Sequence, residues 1–262
     1  MKEDRRVSMG LLSNIKNSVK ELLGPINWMR LKILRHLDVY KSLRDDLWTY
    51  TIIKKTLKIN SICIDVGCNK GSVLEVMMRY AKNGLFYAFE PLPYLHEYLK
   101  RNYHDDNCRI FDIALSDKRG TSSFTHVVTN PGLSGFLQRS QYYHDAEISE
   151  IIVHTDLLDN IIGEELNVDF IKIDVEGAEY QVLTGAKKLI KRCKPIIVFE
   201  CGLGGADYYG TKPKDIYDLL FKECGLNISR LDDFLSNRNP LTLIQFGSDF
   251  DSNSNYYFVA HP

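Results

Sequence analysis

An open α/β domain with a mostly parallel sheet and helices on both faces is the fold this sequence predicts. Apolar runs of strand length alternate with segments of helical periodicity from residue 61 to about 201. The first run, Ile62-Cys63-Ile64-Asp65-Val66, passes into the turn Gly67-Cys68-Asn69-Lys70-Gly71. Such domains make a nucleotide-sized pocket in this way, at the carboxyl end of the first strand. Two further runs end in acids: 85–89 in Glu90 and 168–173 in Asp174. Carboxylates at three strand tips suit a ligand with hydroxyls and a positive charge, not a polyphosphate.

The element order follows from the same signals. Residues 10–58 read as helical. Leu11, Leu12, Ile15, Val19, Leu22 and Leu23 form an apolar stripe that stops at Gly24-Pro25, and further helices are expected at 28–36 and 42–57. A helical segment, 1–59, therefore precedes a domain at 60–262. Strand one is 61–66, followed by a helix over 71–81. Strand two is 85–89, with a helix over 93–103 whose entry suits Pro91 and Pro93. Strand three is 108–113. Residues 121–149 lack periodicity and carry Asn130-Pro131-Gly132, so they are expected to form a loop over the pocket. A short strand near 151–153 leads into 155–162. Strand four is 168–173 with a helix over 178–190, and strand five is 195–200. A helix at 213–224 and closing strands near 226–231 and 256–260 complete the chain.

With 262 residues, 44 % of them hydrophobic, the chain can bury a full core. Its net charge of −1 hides an uneven distribution. The first sixty residues hold thirteen basic and six acidic side chains, and the remainder twenty and twenty-eight. Basic helices docking on an acidic body account for this. The sharper alternative is a weak contact with a membrane surface or another partner. The acidic body disfavours nucleic acid. None of the six cysteines forms a Cys-x-x-Cys pair, which fits a reducing, cytoplasmic setting. Neither a secretory leader nor a transmembrane run is expected.

The chemistry is read from the strand tips. Gly67 and Gly71 remove side chains where a ligand approaches the backbone, in the spacing Asp-x-Gly-x-x-x-Gly rather than the Gly-x-Gly-x-x-Gly of dinucleotide enzymes. Asp65 can accept from turn amides or reach a ligand amino group. Glu90 is placed to accept from both ribose hydroxyls, each charge-assisted bond contributing about 1.5–3 kcal/mol. Asp112 can meet an adenine amino group, with Ile113 packing on the ring. Of Asp174, Glu176 and Glu179, the last is read as a helix cap. Asp174 should face the cleft beside Glu200. Two acids there can bind a substrate hydroxyl, share general-base work or hold a divalent cation, though nothing requires the metal. His126, His144 and His154 lie near the cover loop and fit surface positions as well as a base. Tyr142, Tyr143, Tyr208 and Tyr209 offer faces for a sugar.

Five segments in order make the chain resemble the FkbM family of methyltransferases. They are Ile64-Asp65-Val66-Gly67-Cys68-Asn69-Lys70-Gly71, Tyr87-Ala88-Phe89-Glu90-Pro91, Ala114-Leu115-Ser116-Asp117-Lys118-Arg119-Gly120, Val153-His154-Thr155 with Leu158-Asp159, and Ile171-Lys172-Ile173-Asp174-Val175-Glu176-Gly177-Ala178-Glu179. The last is the most specific, and the resemblance covers about residues 60–201. Lys70 departs from the pattern, where a small or apolar residue is more usual. The resemblance implies the class I methyltransferase fold, Rossmann-like with a seven-stranded sheet, and S-adenosylmethionine as cofactor. Asp65, Gly67, Cys68, Asn69 and Gly71 would border its methionine half, Glu90 and Pro91 its ribose, and Asp112, Ile113 and Ala114 its adenine. Asp174 and Glu176 would lie by the transferring methyl as catalytic residues. Family members mostly methylate oxygen, often on a sugar or a natural product, so the expected acceptor is a glycan or small molecule. In this reading a carboxylate such as Asp174, or a loop histidine, takes the hydroxyl proton while the loop 127–143 excludes water. The rivals are a nicotinamide oxidoreductase, disfavoured by the turn spacing, a nucleic-acid N-methyltransferase, disfavoured by Asp174-Val175-Glu176-Gly177 where Asn/Asp-Pro-Pro-Tyr/Phe is usual, and a non-catalytic cofactor-binding module.

Overall fold

The structure, a computed structural model, describes residues 38–139 and 146–262. The expected helices at 10–23 and 28–36, together with Tyr142, Tyr143 and His144, lie outside the described residues. The larger compact unit runs from Trp48 to Pro262. The third expected helix is present as α1 (Asp38–Thr56), and none of the described helices is long and apolar enough to cross a membrane.

The central sheet contains β1 (Ile62–Val66), β2 (Leu85–Phe89), β3 (Cys108–Phe111), β7 (Phe170–Ile173), β8 (Ile196–Glu200), β9 (Asn227–Arg230) and β10 (Tyr257–His261). Its order is β3-β2-β1-β7-β8-β10-β9, and only β10 runs antiparallel to its neighbours. The seven-stranded sheet and mostly parallel arrangement thus match the expectation. The chain moves outward from β1 to β3 and then crosses back to β7, so the strand order reverses between β1 and β7. Open α/β sheets bind ligands at that reversal, beyond the carboxyl ends of the strands.

Near-continuous apolar strands fit a sheet covered on both faces. Alternation sends Cys63, Phe86, Ala88, Phe170 and Val198 into one core and Ile64, Val66, Phe89, Ile171, Ile173 and Phe199 into the other. Helices α2 (Ser72–Tyr80) and α3 (Pro93–Asn102) follow β1 and β2 as expected.

Four expectations change. Strand three ends at Phe111, and the same apolar run continues after Asp112 as β4 (Ile113–Leu115) in a second sheet. Periodicity cannot show a change of sheet within one run. That sheet, ordered β4-β6-β5, also contains β5 (Gly120–Val127) and β6 (Ile148–Asp156). The two ends of the expected loop over 121–149 are therefore strand, 121–127 and 148–149. Its small polar residues hid an antiparallel pairing that runs from Gly120↔Thr155 to Val127↔Ile148. The cover is shorter, a segment after Val127 with a 3-10 turn at Pro131–Leu133.

The helix expected over 178–190 is two, α5 (Glu179–Gly185) and α6 (Lys187–Cys193). They follow the short α4 (Leu158–Ile161). A Cβ on Gly185 would lie 2.1 Å from the Ser116 carbonyl oxygen, so the break sits where helix and loop backbones touch. Beyond α7 (Pro213–Tyr217), which continues as π-helix to Glu223, lie two unforeseen helices, α8 (Leu231–Leu235) and α9 (Leu243–Ser252). α9 starts with Thr242 and Gln245 in a capping box.

Candidate active site

A cleft opens at the strand reversal. Its walls include Val66, Gly67 and Asn69 from the first turn, Glu90 and Pro91 after β2, Ile113 and Ala114 from β4, and Asp174 and Glu176 after β7. Pro131, Gly132, Ser134 and Phe136 of the cover segment close it.

The turn is built by backbone contacts. Gly67 has φ 76°, and a Cβ there would lie 1.9 Å from the Asp174 carbonyl oxygen. Glycine lets the tips of β1 and β7 meet, and the Asp174 amide donates to the Val66 carbonyl at 3.0 Å. Asn69 is left-handed at φ 49°, a conformation asparagine tolerates. Gly71 lies apart from the cleft lining. It and Cys68 are buried on the core side of the turn, outside the cleft wall, and a Cβ on Gly71 would lie 2.6 Å from the Tyr103 ring. Lys70 is exposed.

Asp65 is also buried away from the cleft wall, 2 % exposed. It faces the Cys68 thiol and the Leu74 amide near the start of α2. Burial pushes its carboxyl up to about 6, opposed by the Lys172 ammonium. Asp112 sits between β3 and β4, exposed and off the cleft wall, while its neighbours Ile113 and Ala114 line the cleft.

Glu90 reaches the cleft and is 5 % exposed. The Asn69 amide donates to its Oε2 at 2.8 Å and the Leu92 amide to its Oε1 at 3.0 Å. A carboxylate oxygen has two lone-pair sites, so each oxygen keeps one for a ligand hydroxyl. Burial pushes the carboxyl up to about 7 against these two bonds.

The opposite end is acidic. One oxygen of each of Asp174, Glu176 and Glu200 lies within 4.8 Å of the others. Oδ2 of Asp174 accepts from the Tyr257 hydroxyl at 2.6 Å and from Lys172 Nζ at 3.1 Å. These donors and a hydrogen bond with Glu200 hold Asp174 below the usual carboxylate range despite its desolvation. Glu176 pairs with Arg139, itself 4 % exposed and also bonded to the Gly204 and Leu133 carbonyls. Burial and the Asp174 charge nonetheless push Glu176 up to about 8. Glu200 rises well above its ordinary value through burial and the charges of Asp174, Glu176 and Glu179. Glu176 has φ 60°, rare for a side chain of its size and a kind of strain that clusters at functional sites. Glu179 does not cap α5 as expected; from the first turn of that helix its Oε1 accepts from the Val175 and Gly177 amides at 3.0 and 3.1 Å and so braces the preceding turn.

The spacing of these acids would admit a divalent cation, but Lys172 and Arg139 already supply cations to two of them. Of the three candidate histidines, the two described ones do not line the cleft. His126 lies against Tyr94 with Ser149 on its Nδ1, and His154 is exposed on β6. The Tyr209 hydroxyl accepts from the Leu137 amide at 3.3 Å and so pins the cover segment. Sequence reasoning missed Tyr257, Lys172 and Arg139. Lys172 carried a legible signal, a lone cation inside the apolar run Phe170-Ile171-Lys172-Ile173.

The Methyltransferase FkbM domain family matches residues 65–228. The chain belongs to this family. It is a methyltransferase, and the matched segment contains every residue of the cleft lining, from Val66 to Glu176. Two relatives are similar in sequence. The 2-O-methyltransferase NoeI of Sinorhizobium fredii is 26 % identical over 74 % of this chain and 80 % of its own length. The methyltransferase sdnD of Sordaria araneosa is 26 % identical over 49 % of this chain and 61 % of its own. A crystal structure of a methyltransferase FkbM from Methylobacillus flagellatus aligns with TM-score 0.47 at 16 % identity. It covers 78 % of this FkbM chain, which spans 44 % of that longer protein.

Proposed function

We propose that this FkbM-family protein transfers a methyl group from S-adenosylmethionine to a hydroxyl oxygen of a sugar, glycan or glycosylated natural product. The observation that carries the reading is Glu90. It is a buried carboxylate on the cleft wall, anchored by two amides, with one free lone-pair site on each oxygen. Such a group fits a ribose diol. The fit extends to both sides. Gly67 presents backbone without side-chain bulk, and Ile113 and Ala114 give an apolar wall for a purine. Asp65, Cys68 and Gly71 support this turn from the core side.

Bound there, S-adenosylmethionine would supply an electrophilic methyl on a positively charged sulfonium. The work left to the protein is alignment and proton transfer. Asp174, ionised and fixed, accepts the acceptor hydroxyl's proton as its oxygen attacks. The cover segment, held by Arg139 and Tyr209, excludes water. NoeI, by its name, acts at a 2-oxygen, which supports oxygen as the acceptor atom. The acidic body supports an uncharged or cationic acceptor over nucleic acid.

Calorimetric titration with S-adenosylhomocysteine, with NAD as comparison, tests the donor. The expected result is binding of the former alone. Binding of neither, or a preference for NAD, overturns the reading.

A further inference from the structure

Lys172 and Tyr257 come from different strands and meet at one carboxylate oxygen. Lys172 lies on β7, its side chain 5 % exposed, in register with Asp65 of β1. Tyr257 lies on β10, opposite Glu200 of β8. Lys172 Nζ stands 4.7 Å from the Tyr257 ring centre, and both side chains end on Asp174 Oδ2. An O–H···O⁻ bond of 2.6 Å is in the short, charge-assisted range.

Four other carboxyl groups surround this pair. Glu200 faces Asp174 from β8, Glu176 and Glu179 from the turn and helix after β7, and Asp65 from β1. Arg139 of the cover segment answers Glu176. In such a setting an acid without its own donors takes up a proton, because like charges at low dielectric repel.

We propose that Lys172 and Tyr257 are positioning residues for methyl transfer, fixing the Asp174 carboxylate at the cleft and keeping it charged so that it can receive the acceptor's proton. The inference rests on the reading of Asp174 as the group beside the acceptor hydroxyl. It assigns to Tyr257 a role distinct from filling the core, which its ring would do without the hydroxyl.

The test is a carbon-13 titration of the aspartate carboxyls in the full chain, with Asp174→Asn identifying the signal. In the wild type, the Asp174 inflection is expected below the ordinary aspartate range. Tyr257→Phe keeps the ring and should raise the inflection by about one to two pH units, the equivalent of one hydrogen bond to a charge. Lys172→Arg, which retains the cation, should leave it low. An undepressed inflection in the wild type overturns the proposal whatever the variants do, and so does an inflection that Tyr257→Phe leaves in place. S-adenosylhomocysteine titrated into the same samples separates the premise from the inference. A depressed, hydroxyl-dependent inflection in a protein that binds no S-adenosylhomocysteine removes the premise and so overturns the proposal. Bound S-adenosylhomocysteine with an unmoved inflection overturns the positioning role alone.

Discussion

Glu90 and Asp174 are both acids at the ends of buried strands, and both line the same cleft. Burial acts on the two in the same direction. Glu90 meets it with two neutral amides and still rises to about 7. Asp174 meets it with an ammonium and a phenol and falls below its ordinary value. The same sequence signature, an apolar run closed by a carboxylate, thus gives opposite proton affinities. Two amide dipoles do not offset desolvation at Glu90, whereas an ammonium and a phenol together do at Asp174; at Glu176 the Arg139 cation does not, because the Asp174 charge opposes it. The two ends of the cleft are accordingly suited to different work, one to holding a diol and the other to holding charge.

The largest expected effect breaks the comparison at its charged end. Asp174→Asn should lower kcat by about 10²–10⁴-fold, the range of a lost general base, and leave S-adenosylhomocysteine affinity nearly unchanged. The check is methyl transfer from labelled S-adenosylmethionine to an acceptor found by screening sugars, with calorimetry alongside. Full turnover in the variant would remove Asp174 from proton transfer.

Glu90→Ala should do the reverse. Losing a charge-assisted grip of about 1.5–3 kcal/mol should weaken S-adenosylhomocysteine binding by about 10- to 100-fold. With donor saturating, turnover should recover. Unchanged affinity by calorimetry would dissociate Glu90 from the ribose.

The smallest effect, a few-fold, sharpens the comparison through pH. The folded state raises the Glu90 pKa from 4.5 to about 7, so it favours the protonated carboxyl. That stabilisation is fully present below about pH 4 and disappears as pH rises through about 7. Ligand affinity should run the other way, because the ionised carboxylate is the better acceptor. S-adenosylhomocysteine affinity is expected to climb through about pH 7 in the wild type and to climb less in Glu90→Gln. Urea midpoints of the two proteins should diverge over the same interval, with the variant gaining on the wild type. Parallel pH curves would show that Glu90 does not titrate there.

Much of the fold was legible because its signals are local. Each central strand except β3 was read at or near its observed bounds, since a strand covered on both faces must be apolar along its length. The second sheet was not legible. Gly120-Thr121-Ser122-Ser123-Phe124 has the composition of a turn, and only pairing with β6 makes it a strand. α8 and α9 fell within a stretch read as strand and loop, where neighbouring β9 and β10 decide the outcome. In the site, Glu90 and Asp174 were legible as tips of apolar runs. The burial of Asp65, Cys68 and Gly71 off the cleft lining was not, because a turn of five residues faces two ways and sequence does not show which side meets solvent.

By itself the sequence determined the alternation of strand and helix, the glycine turn and the acids at the strand tips, since these depend on residues within a few positions of one another. The tertiary structure decided which acids carry charge. Tyr257 reaches Asp174 across 83 residues and Arg139 reaches Glu176 across 37. Proton affinity depends on distances of a few ångströms between groups the chain brings together only when it folds.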